Sequence, residues 1–232
     1  MKKFKILIPL YNDWKSVSKL LNEIDTQTNN WNAEVSVIIV NDASTEEKSN
    51  LYSNYKKIKS VKILNMKKNT VHQRCIAAGL KSAEGEYIGW AHADLQTPLA
   101  DFYKLYMLVK SEKRIFGKGN RTNNRGYDGV ISRFHEVCAS LILGQKMREI
   151  NAQPKIFHKS MLGLFTNIPT QWTTLDTYVF YICLINRIKI IEMDVIFKTR
   201  IYGQSKWKNN FVNFIKHLFF NIIYLIKLRF SK

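Results

Sequence analysis

The sequence predicts an α/β fold built on a mostly parallel, doubly wound β-sheet. Short, continuous apolar segments suit strands that are buried on both faces of a sheet. Segments with apolar residues at helical spacing lie between them, and this alternation is typical of parallel sheets with crossover helices. With 46% hydrophobic and 12% aromatic residues, the 232-residue chain can bury the core of one such domain.

The predicted strands are apolar runs bounded by polar or glycine-containing turns. The run around which the chain is organised begins after Gly85 and leads to the carboxylate of Asp94. The last run carries Glu192 and Asp194 within an otherwise apolar segment. The predicted strands are residues 4–10, 34–40, 61–64, 86–93, 114–118 and 188–197.

The predicted helices are marked by spacing and by capping residues. The first has Asp13 as its N-cap and apolar residues at helical spacing up to about residue 27. A helix rich in Glu and Lys is predicted after Thr45. Thr97 and Pro98 suit an N-cap followed by proline in the first helical turn. The remaining predicted elements are helices at residues 70–85, 132–143, 175–185 and 208–229, a basic loop at residues 119–126 and a turn at residues 151–155.

The charge of the chain indicates an anionic partner. The formal net charge is +18, and after Asp194 eight Lys and Arg residues follow without any acidic residue. Such an excess suits a nucleic acid, a membrane face or a phosphorylated substrate. The sequence has no helix-turn-helix, zinc-finger or RNP-like pattern, which argues against a nucleic-acid partner.

Cysteine usage and hydropathy favour a cytosolic setting. The three cysteines are widely spaced and form no metal-type pair, so reduced thiols are expected. The first apolar run is interrupted by Tyr11, Asn12 and Asp13 too early for a signal peptide. No segment reaches the roughly 18 uncharged apolar residues that a membrane-spanning helix needs.

Polar side chains follow three of the predicted strands. If those strands are parallel, the three clusters lie at one edge of the sheet, where open α/β sheets bind ligands. Carboxylates and amides there suit a base and a ribose, and a metal with nearby cations suits a diphosphate. A simple strand-to-helix turn explains the third cluster equally well when it is taken alone. The clusters are Tyr11-Asn12-Asp13, Asn41-Asp42-Ala43-Ser44 and His92-Ala93-Asp94-Leu95-Gln96.

Six motifs in a fixed order connect these clusters to a known family. They are IPLYND, IIVNDAS, HQRCIAAGLKSAEGEYI, HADLQTP, INAQPKIFHK and RIYGQSKW. With them the chain, from about residue 4 to residue 207, resembles the family 2 glycosyltransferases of the GT-A fold. The resemblance is greatest to the branch of dolichyl-phosphate mannose synthases and other polyprenyl-phosphate sugar transferases. It implies a nucleotide-diphospho-sugar transferase fold and a hexosyltransferase type of activity.

The resemblance implies that a UDP- or GDP-sugar donor binds at the first two clusters. The family more often has Glu where Asp13 stands, and Asn41 replaces a usual acid ahead of Asp42. Arg74, near the start of a predicted helix, is a further candidate for donor binding. The donor-binding residues implied are Pro9, Tyr11, Asn12, Asp13, Asp42 and Arg74.

The third cluster matches the metal-binding Asp-x-Asp motif of the family. Asp94 matches its second acid and Gln96 the amide that follows, whereas His92 replaces the first acid. Imidazole binds divalent ions but is neutral and softer than carboxylate, which shifts the preference toward Mn²⁺ over Mg²⁺. The resemblance therefore implies a divalent metal cofactor, Mn²⁺ or Mg²⁺, held by Asp94, Gln96 and His92.

Several cations match positions that this branch uses for the phosphates of the donor or the acceptor. Arg200 is expected to stabilise charge across the phosphates during catalysis. The residues implied for the acceptor or its phosphate are Arg121, Arg133 and Lys206.

The expected reaction is an inverting sugar transfer in cell-surface glycan synthesis, with Asp94, Asp176 and Arg200 as catalytic residues. A polyprenyl-phosphate acceptor is already anionic, whereas a glycan hydroxyl needs a general base, for which Asp176 is the candidate. A catalytically lapsed donor-binding protein stays open because Asn41 and His92 replace acids. A sugar-nucleotide pyrophosphorylase is disfavoured, since IPLYND carries no glycine-rich loop.

The end of the chain is predicted as a basic amphipathic helix beyond a transferase domain of residues 1–206. Residues 207–232 combine apolar residues at helical spacing with Lys and Arg and with no acid. Such a helix suits an anionic membrane interface, although it could also pack on its own domain or on a second subunit. The expected location is cytoplasmic, peripheral on the inner face of the membrane.

Overall fold

The computed structural model describes residues 1–47, 51, 54–70, 72–123, 126–165, 168, 175–198 and 211–231. A seven-stranded sheet forms the centre of the molecule, with strand order β3-β2-β1-β4-β6-β5-β7. Its strands are β1 (Lys2–Leu10), β2 (Ala33–Asn41), β3 (Ile58–Asn65), β4 (Tyr87–Trp90), β5 (Ile115–Arg121), β6 (Lys155–His158) and β7 (Lys189–Val195).

Six α-helices and two short 3₁₀ helices, Thr28–Asn30 and Lys159–Leu164, accompany the sheet in the described ranges. The α-helices are α1 (Trp14–Gln27), α2 (His72–Lys81), α3 (Leu99–Val109), α4 (Gly126–Leu143), α5 (Leu175–Ile185) and α6 (Phe211–Phe230). None of these helices is long and apolar enough to cross a membrane, a statement that covers only the described part of the chain.

The direction of the strands brings the expected site to one edge. β1 pairs in parallel with β2 and β4, and β5 pairs in parallel with β7. β6 is antiparallel to both β4 and β5, so β4 and β5 run in the same direction. The carboxyl ends of β1, β2, β4 and β5 therefore meet at one edge, together with the first residue of β6.

Alternation along the central strands fills two cores. Phe4, Ile6 and Ile8 of β1 face the layer of α1 and α3, whereas Leu7 faces the layer of α2, α4, α5 and α6. Because successive side chains of a strand point to opposite faces, a continuous apolar run serves both layers at once. The predicted doubly wound α/β class is confirmed.

One strand was not predicted, and it changes the topology. Residues 151–155 were expected as a turn, but Lys155 already belongs to β6, which lies antiparallel between β4 and β5. Lys155 pairs with Trp90 and Lys118 in the sheet and is fully buried. A strand that begins with a lysine lacks the apolar signature of a buried strand, which is why local pattern alone missed it.

Several predicted boundaries were wrong for identifiable reasons. Residues 119–121 extend β5 rather than open a loop, since their backbone pairs with β7. The central strand ends at Trp90 rather than at residue 93. Thr97 was expected as an N-cap with Pro98 in the first helical turn, but Pro98 is itself the N-cap, since its ψ of 138° is not helical, and the helix begins at Leu99.

The Glu- and Lys-rich helix expected after Thr45 was also wrong in the described part. Residues 46, 47 and 54–57 are not helical. The Asp25 carboxylate accepts hydrogen bonds from the backbone N–H groups of Lys56, Lys57 and Ile58 at 3.0, 2.7 and 2.9 Å. These bonds hold the segment on α1 in a non-helical path toward β3.

The close approach of β5 to the turn before β6 leads to a stability prediction. A Cβ on Gly119 would lie 2.3 Å from the carbonyl oxygen of Gln153, whereas one on Gly163 would meet no atom within 4 Å. Gly119→Ala is expected to lower the free energy of unfolding by about 1–3 kcal/mol through forced backbone shifts. Gly163→Ala, the matched control, should stay within about 0.5 kcal/mol. Urea denaturation of both variants measures the difference, and equal stabilities would contradict the close packing.

Candidate active site

Hydrogen bonds join the polar clusters at the ends of β1 and β2. The backbone N–H of Asn12 donates to Ser44 Oγ at 3.0 Å, and the Asn12 side chain accepts from the backbone N–H of Thr45 at 2.8 Å. Asn12, Ala43 and Leu95, one in each of the three clusters, have φ of 50°, 54° and 58°. Positive φ is costly for non-glycine residues and concentrates at functional sites, so the backbone is strained at one residue in each of the three clusters.

Asp42 connects the end of β2 to the segment that leads into α2. Its Oδ1 accepts from the backbone N–H and the hydroxyl of Thr70 at 2.8 and 2.7 Å, and its Oδ2 accepts from Asn69 Nδ2 at 3.2 Å. Burial, with the Asp42 carboxylate next in importance, raises the pKa of the adjacent Cys75 thiol to about 12. Asp42 is thus a buried, well-held carboxylate at the expected edge.

The other donor-binding candidates surround this edge. Pro9 is buried in β1, and Tyr11 is half-buried just beyond it. Asp13 occupies the N-cap position of α1 as predicted, but its carboxylate accepts from the Ser16 hydroxyl and makes no side-chain capping bond. Arg74 is half-buried in the first turn of α2.

The cluster after β4 gathers a carboxylate, an amide and an imidazole. Asp94 is buried, and its Oδ1 accepts from the backbone N–H of Gln96 at 3.2 Å. Gln96 donates its side-chain N–H to the carbonyl oxygen of Lys198 at 2.9 Å, which leaves its amide oxygen as a potential ligand. The ring centroids of His92 and His72 lie 5.2 Å apart. Burial, followed by the neighbouring His92, lowers the pKa of His72 to about 4.

The chemistry of this donor set fits a divalent cation. Carboxylate and amide oxygens are hard ligands, and an imidazole adds a ligand that Mn²⁺ accepts. Within the described ranges, no three His, Cys, Asp or Glu side chains form a group that could hold a metal. A cation here would therefore need the oxygen of Gln96 or oxygens of a bound ligand beside Asp94 and His92.

A basic pocket lies where β5 leads into α4. The Arg121 side chain is 4% exposed, and its Nε is ion-paired with Glu149. Its Nη2 is buried and has no hydrogen-bond partner among the described residues. Arg133 is 62% exposed on α4, and its Nη1 lies 3.7 Å from Glu136. The pocket has a volume of about 580 Å³ and is lined by Arg121, Asn123, Gly126, Gly129, Val130, Arg133, Phe134, Val137 and Glu149.

Asp176 lies in the first turn of α5, in a buried cluster that was not predicted from the sequence. The carboxylate lies 2.8 Å from Nζ of Lys155, and Gln73 Nε2 donates to it at 3.2 Å. Burial lowers the pKa of Lys155 to about 8, with Asp176 acting in the opposite direction. Lys155 and Gln73 both lie within the six motifs, but their pairing with Asp176 depends on contacts across the fold. Arg200 and Lys206 lie outside the described residues.

Comparison with known proteins places the chain in a family of transferases. The model of the family described as "Glycosyl transferase family 2" matches residues 5–189. The chain belongs to this family and is a glycosyltransferase, as its motifs predicted.

Two curated sugar transferases are similar to the chain over most of its length. An undecaprenyl-phosphate 4-deoxy-4-formamido-L-arabinose transferase of Proteus mirabilis is 20% identical over 210 residues, which cover 89% of this chain and 63% of the relative. A dolichol-phosphate mannosyltransferase of Pyrococcus furiosus is 22% identical over 227 residues, covering 94% and 63%. The chain thus spans about 63% of the length of these relatives.

Solved structures confirm the GT-A fold. A mannosyltransferase of Pyrobaculum calidifontis, solved with GDP-Man and Mn²⁺, superposes with a TM-score of 0.68 at 14% identity, covering 97% of this chain and 64% of that one. Glucosyl-3-phosphoglycerate synthase of Mycobacterium tuberculosis, solved with Mn²⁺ and UDP-Glc, gives 0.72 at 10% identity, covering 99% and 81%.

Proposed function

We propose that this glycosyltransferase moves a sugar from a GDP- or UDP-sugar to the phosphate of a polyprenyl phosphate, with inversion at the anomeric carbon. The reaction would serve cell-surface glycan synthesis on the cytoplasmic face of a membrane. Both curated relatives are named for transfer to a polyprenyl phosphate. Two structural neighbours hold GDP-Man or UDP-Glc, the two nucleotide classes proposed for the donor.

The buried guanidinium of Arg121 carries the proposal. Its Nη2 has no hydrogen-bond partner in the described part of the chain, and a buried N–H donor without a partner is costly. An acceptor phosphate would satisfy it with a charge-assisted bond, and Arg133 stands on the same pocket. Val130, Phe134 and Val137 line that pocket too, so an isoprenoid tail could lie beside its phosphate.

On the donor side, the residues at the ends of β1 and β2 would hold the nucleoside. Asp42 and Asp13 offer carboxylates to the base and the ribose, with Tyr11, Asn12, Pro9 and Arg74 around them. Asp94, Gln96 and His92 would hold a Mn²⁺ or Mg²⁺ ion, which when bound neutralises charge on the diphosphate leaving group. Arg200 and Lys206 would add positive charge to the phosphates.

The acceptor needs no proton removed under this proposal. A phosphate monoester is anionic at neutral pH, so one of its oxygens can attack the anomeric carbon directly, from the face opposite the leaving diphosphate. Attack from that face inverts the configuration. Arg121 would orient the attacking phosphate and thereby supply proximity.

Exposed apolar residues on α4 and α6 support a membrane surface as the partner. α6 packs on α4 through the buried Leu225 and Leu228, yet both helices also present apolar side chains to solvent. Lys216 and Lys227 of α6 are exposed among them, which suits anionic headgroups. The exposed apolar residues are Val130, Phe134, Val137 and Leu141 of α4 and Phe219, Phe220, Ile226 and Phe230 of α6.

Vesicle binding tests this surface. Phe134→Ser combined with Leu141→Ser is expected to weaken binding to vesicles with anionic lipid by about tenfold or more, because each side chain loses burial worth about 1 kcal/mol or more. Met107→Ser combined with Leu108→Ser is the matched control, since these residues are exposed on α3, away from α4. Cosedimentation measures both, and equal binding of the two variants would contradict α4 as the membrane face.

A transfer assay tests the whole proposal. Purified protein is given a panel of UDP- and GDP-sugars with Mn²⁺, Mg²⁺ or EDTA, with and without polyprenyl phosphate in detergent. Metal-dependent formation of a polyprenyl-phosphate sugar supports the proposal. Turnover that requires a glycan hydroxyl instead would replace the acceptor. Donor binding without turnover would indicate a lapsed transferase, and no donor binding would contradict the site.

A further inference from the structure

The first turn of α5 joins three parts of the fold beneath the sheet edge. Gln73 of α2 accepts the backbone N–H of Leu175 at 2.5 Å and donates to the Asp176 carboxylate. Lys155 of β6 reaches the same carboxylate, and Thr177 contacts His135 of α4 at 3.1 Å. The helix α2 on the donor side, the strand β6 and the helix α4 on the acceptor side therefore meet at residues 175–177.

Both oxygens of the Asp176 carboxylate are engaged within the protein. Oδ1 is ion-paired with Lys155 at 2.8 Å, although neither this oxygen nor Nζ of Lys155 has a hydrogen-bond partner among the described residues, and Oδ2 accepts from Gln73. The side chains of Asp176 and Lys155 are 1% and 0% exposed. A general base must come within hydrogen-bond reach of the acceptor's proton. Asp176 could do so only by leaving the ammonium of Lys155 buried without its partner, which is strongly unfavourable.

The cluster is connected to the metal-binding motif indirectly, through neighbours of Gln73 and Lys155. Gln73 directly follows His72, whose ring lies 5.2 Å from that of His92. Lys155 stands opposite Trp90, the last residue of β4, and its Nζ lies 5.9 Å from the centre of the Trp90 ring. A shift of Asp176 or Lys155 would therefore move the start of α2 and the end of β4, which carry His72 and the segment up to Asp94.

We propose that Lys155, Gln73 and Asp176 are positioning residues, a buried charge-compensated cluster that aligns the donor side with α4, and that Asp176 is not a general base. The inference rests on the proposed function, because only an acceptor that is already ionised can dispense with a base.

A double-mutant cycle separates the two roles of Asp176. Lys155→Met and Asp176→Leu each leave a buried partner uncompensated and are expected to lower kcat about 10- to 100-fold through misplacement. The double variant Lys155→Met with Asp176→Leu removes both charges while keeping apolar bulk, which proteins often tolerate. It should recover most of the lost kcat, keep the donor KM and keep the pH profile of the wild type.

Lys118→Met is the matched control. Lys118 is also 0% exposed, but its Nζ pairs with Glu192 of β7 at 3.1 Å rather than with Asp176. Loss of stability without a change in kcat is expected for this variant. The Lys118→Met control shows whether removal of any buried lysine is enough to impair turnover.

Two results would overturn the proposal. A double variant that folds and binds donor normally, yet stays about 10²–10⁴-fold lower in kcat, would make Asp176 a base. Strictly additive shifts of the unfolding temperature for the two positions would show that Lys155 and Asp176 are not coupled. The thermal cycle needs no acceptor, so it still decides the pairing if the wild type fails to use polyprenyl phosphate and the proposed function is wrong.

Discussion

Asp94→Ala is expected to lower transfer activity by about 10²–10³-fold, because a metal's charge stabilisation is worth several kcal/mol and each 1.36 kcal/mol is tenfold in rate. Asp94 supplies the single carboxylate of the donor set after β4, since His92 contributes an imidazole and Gln96 an amide. Its removal should weaken Mn²⁺ binding as well, which isothermal titration with Mn²⁺ and a nucleoside diphosphate measures without turnover.

Asp101→Ala is the matched control for Asp94→Ala. Asp101 lies in the first turn of α3, seven residues further along the chain, and its Oδ1 is 3.7 Å from Nζ of Lys104. The control removes a nearby carboxylate that has no proposed role in the site. Equal losses in the two variants would place the effect in the fold, and full activity of Asp94→Ala would contradict a metal at this motif.

Arg121→Met is expected to raise the KM for polyprenyl phosphate about 10- to 100-fold while the donor KM stays unchanged. A hydrogen bond to a charged group contributes about 1.5–3 kcal/mol, and about 1.4 kcal/mol is tenfold in affinity. Methionine keeps the apolar part of the side chain but removes the guanidinium, whose Cζ lies 5.8 Å from the centre of the Phe197 ring.

Two further variants test whether Arg121 contacts the phosphate or has only a structural role. Arg133→Met removes a mostly exposed cation from the same pocket, and such charges contribute only about 0–1 kcal/mol, so its KM should rise less than about fivefold. Arg121→Met combined with Glu149→Gln removes the carboxylate that would otherwise lose its partner. A double variant that regains stability but keeps the raised KM supports a phosphate contact, whereas one that regains the KM would reduce Arg121 to a structural role.

Features that depend on neighbouring residues were predicted from the sequence, whereas features that depend on contacts between distant segments were not. The helix predicted at residues 175–185 was observed as Leu175–Ile185, because its apolar spacing and its ends are local signals. The strand ends that carry Asn12, Asp42 and Asp94 were confirmed at one edge, since parallel strands must align their carboxyl ends. The family was predicted from the motifs and from their order along the chain, and neither depends on tertiary contacts.

The paired charges could not be predicted in the same way. Asp176 was expected as the candidate general base, and its contacts with Lys155, 21 residues earlier, and Gln73, more than 100 residues earlier, were not predicted. Arg121 was expected as a phosphate contact, yet its burial beside Glu149, and an Nη2 without a hydrogen-bond partner in the described part of the chain, follow only from tertiary packing.

By itself the sequence determined the α/β class, the strands with their polar ends and the family. The spacing of apolar residues and the short motifs involve residues that are close in the sequence, so both can be recognised without a structure. Only the tertiary structure decided that β6 lies antiparallel within the sheet, that Lys155 is buried and that Asp176 is held by it. Strand order and charge pairing depend on which distant segments meet, and that choice is made by the free energy of the whole fold rather than by any local pattern.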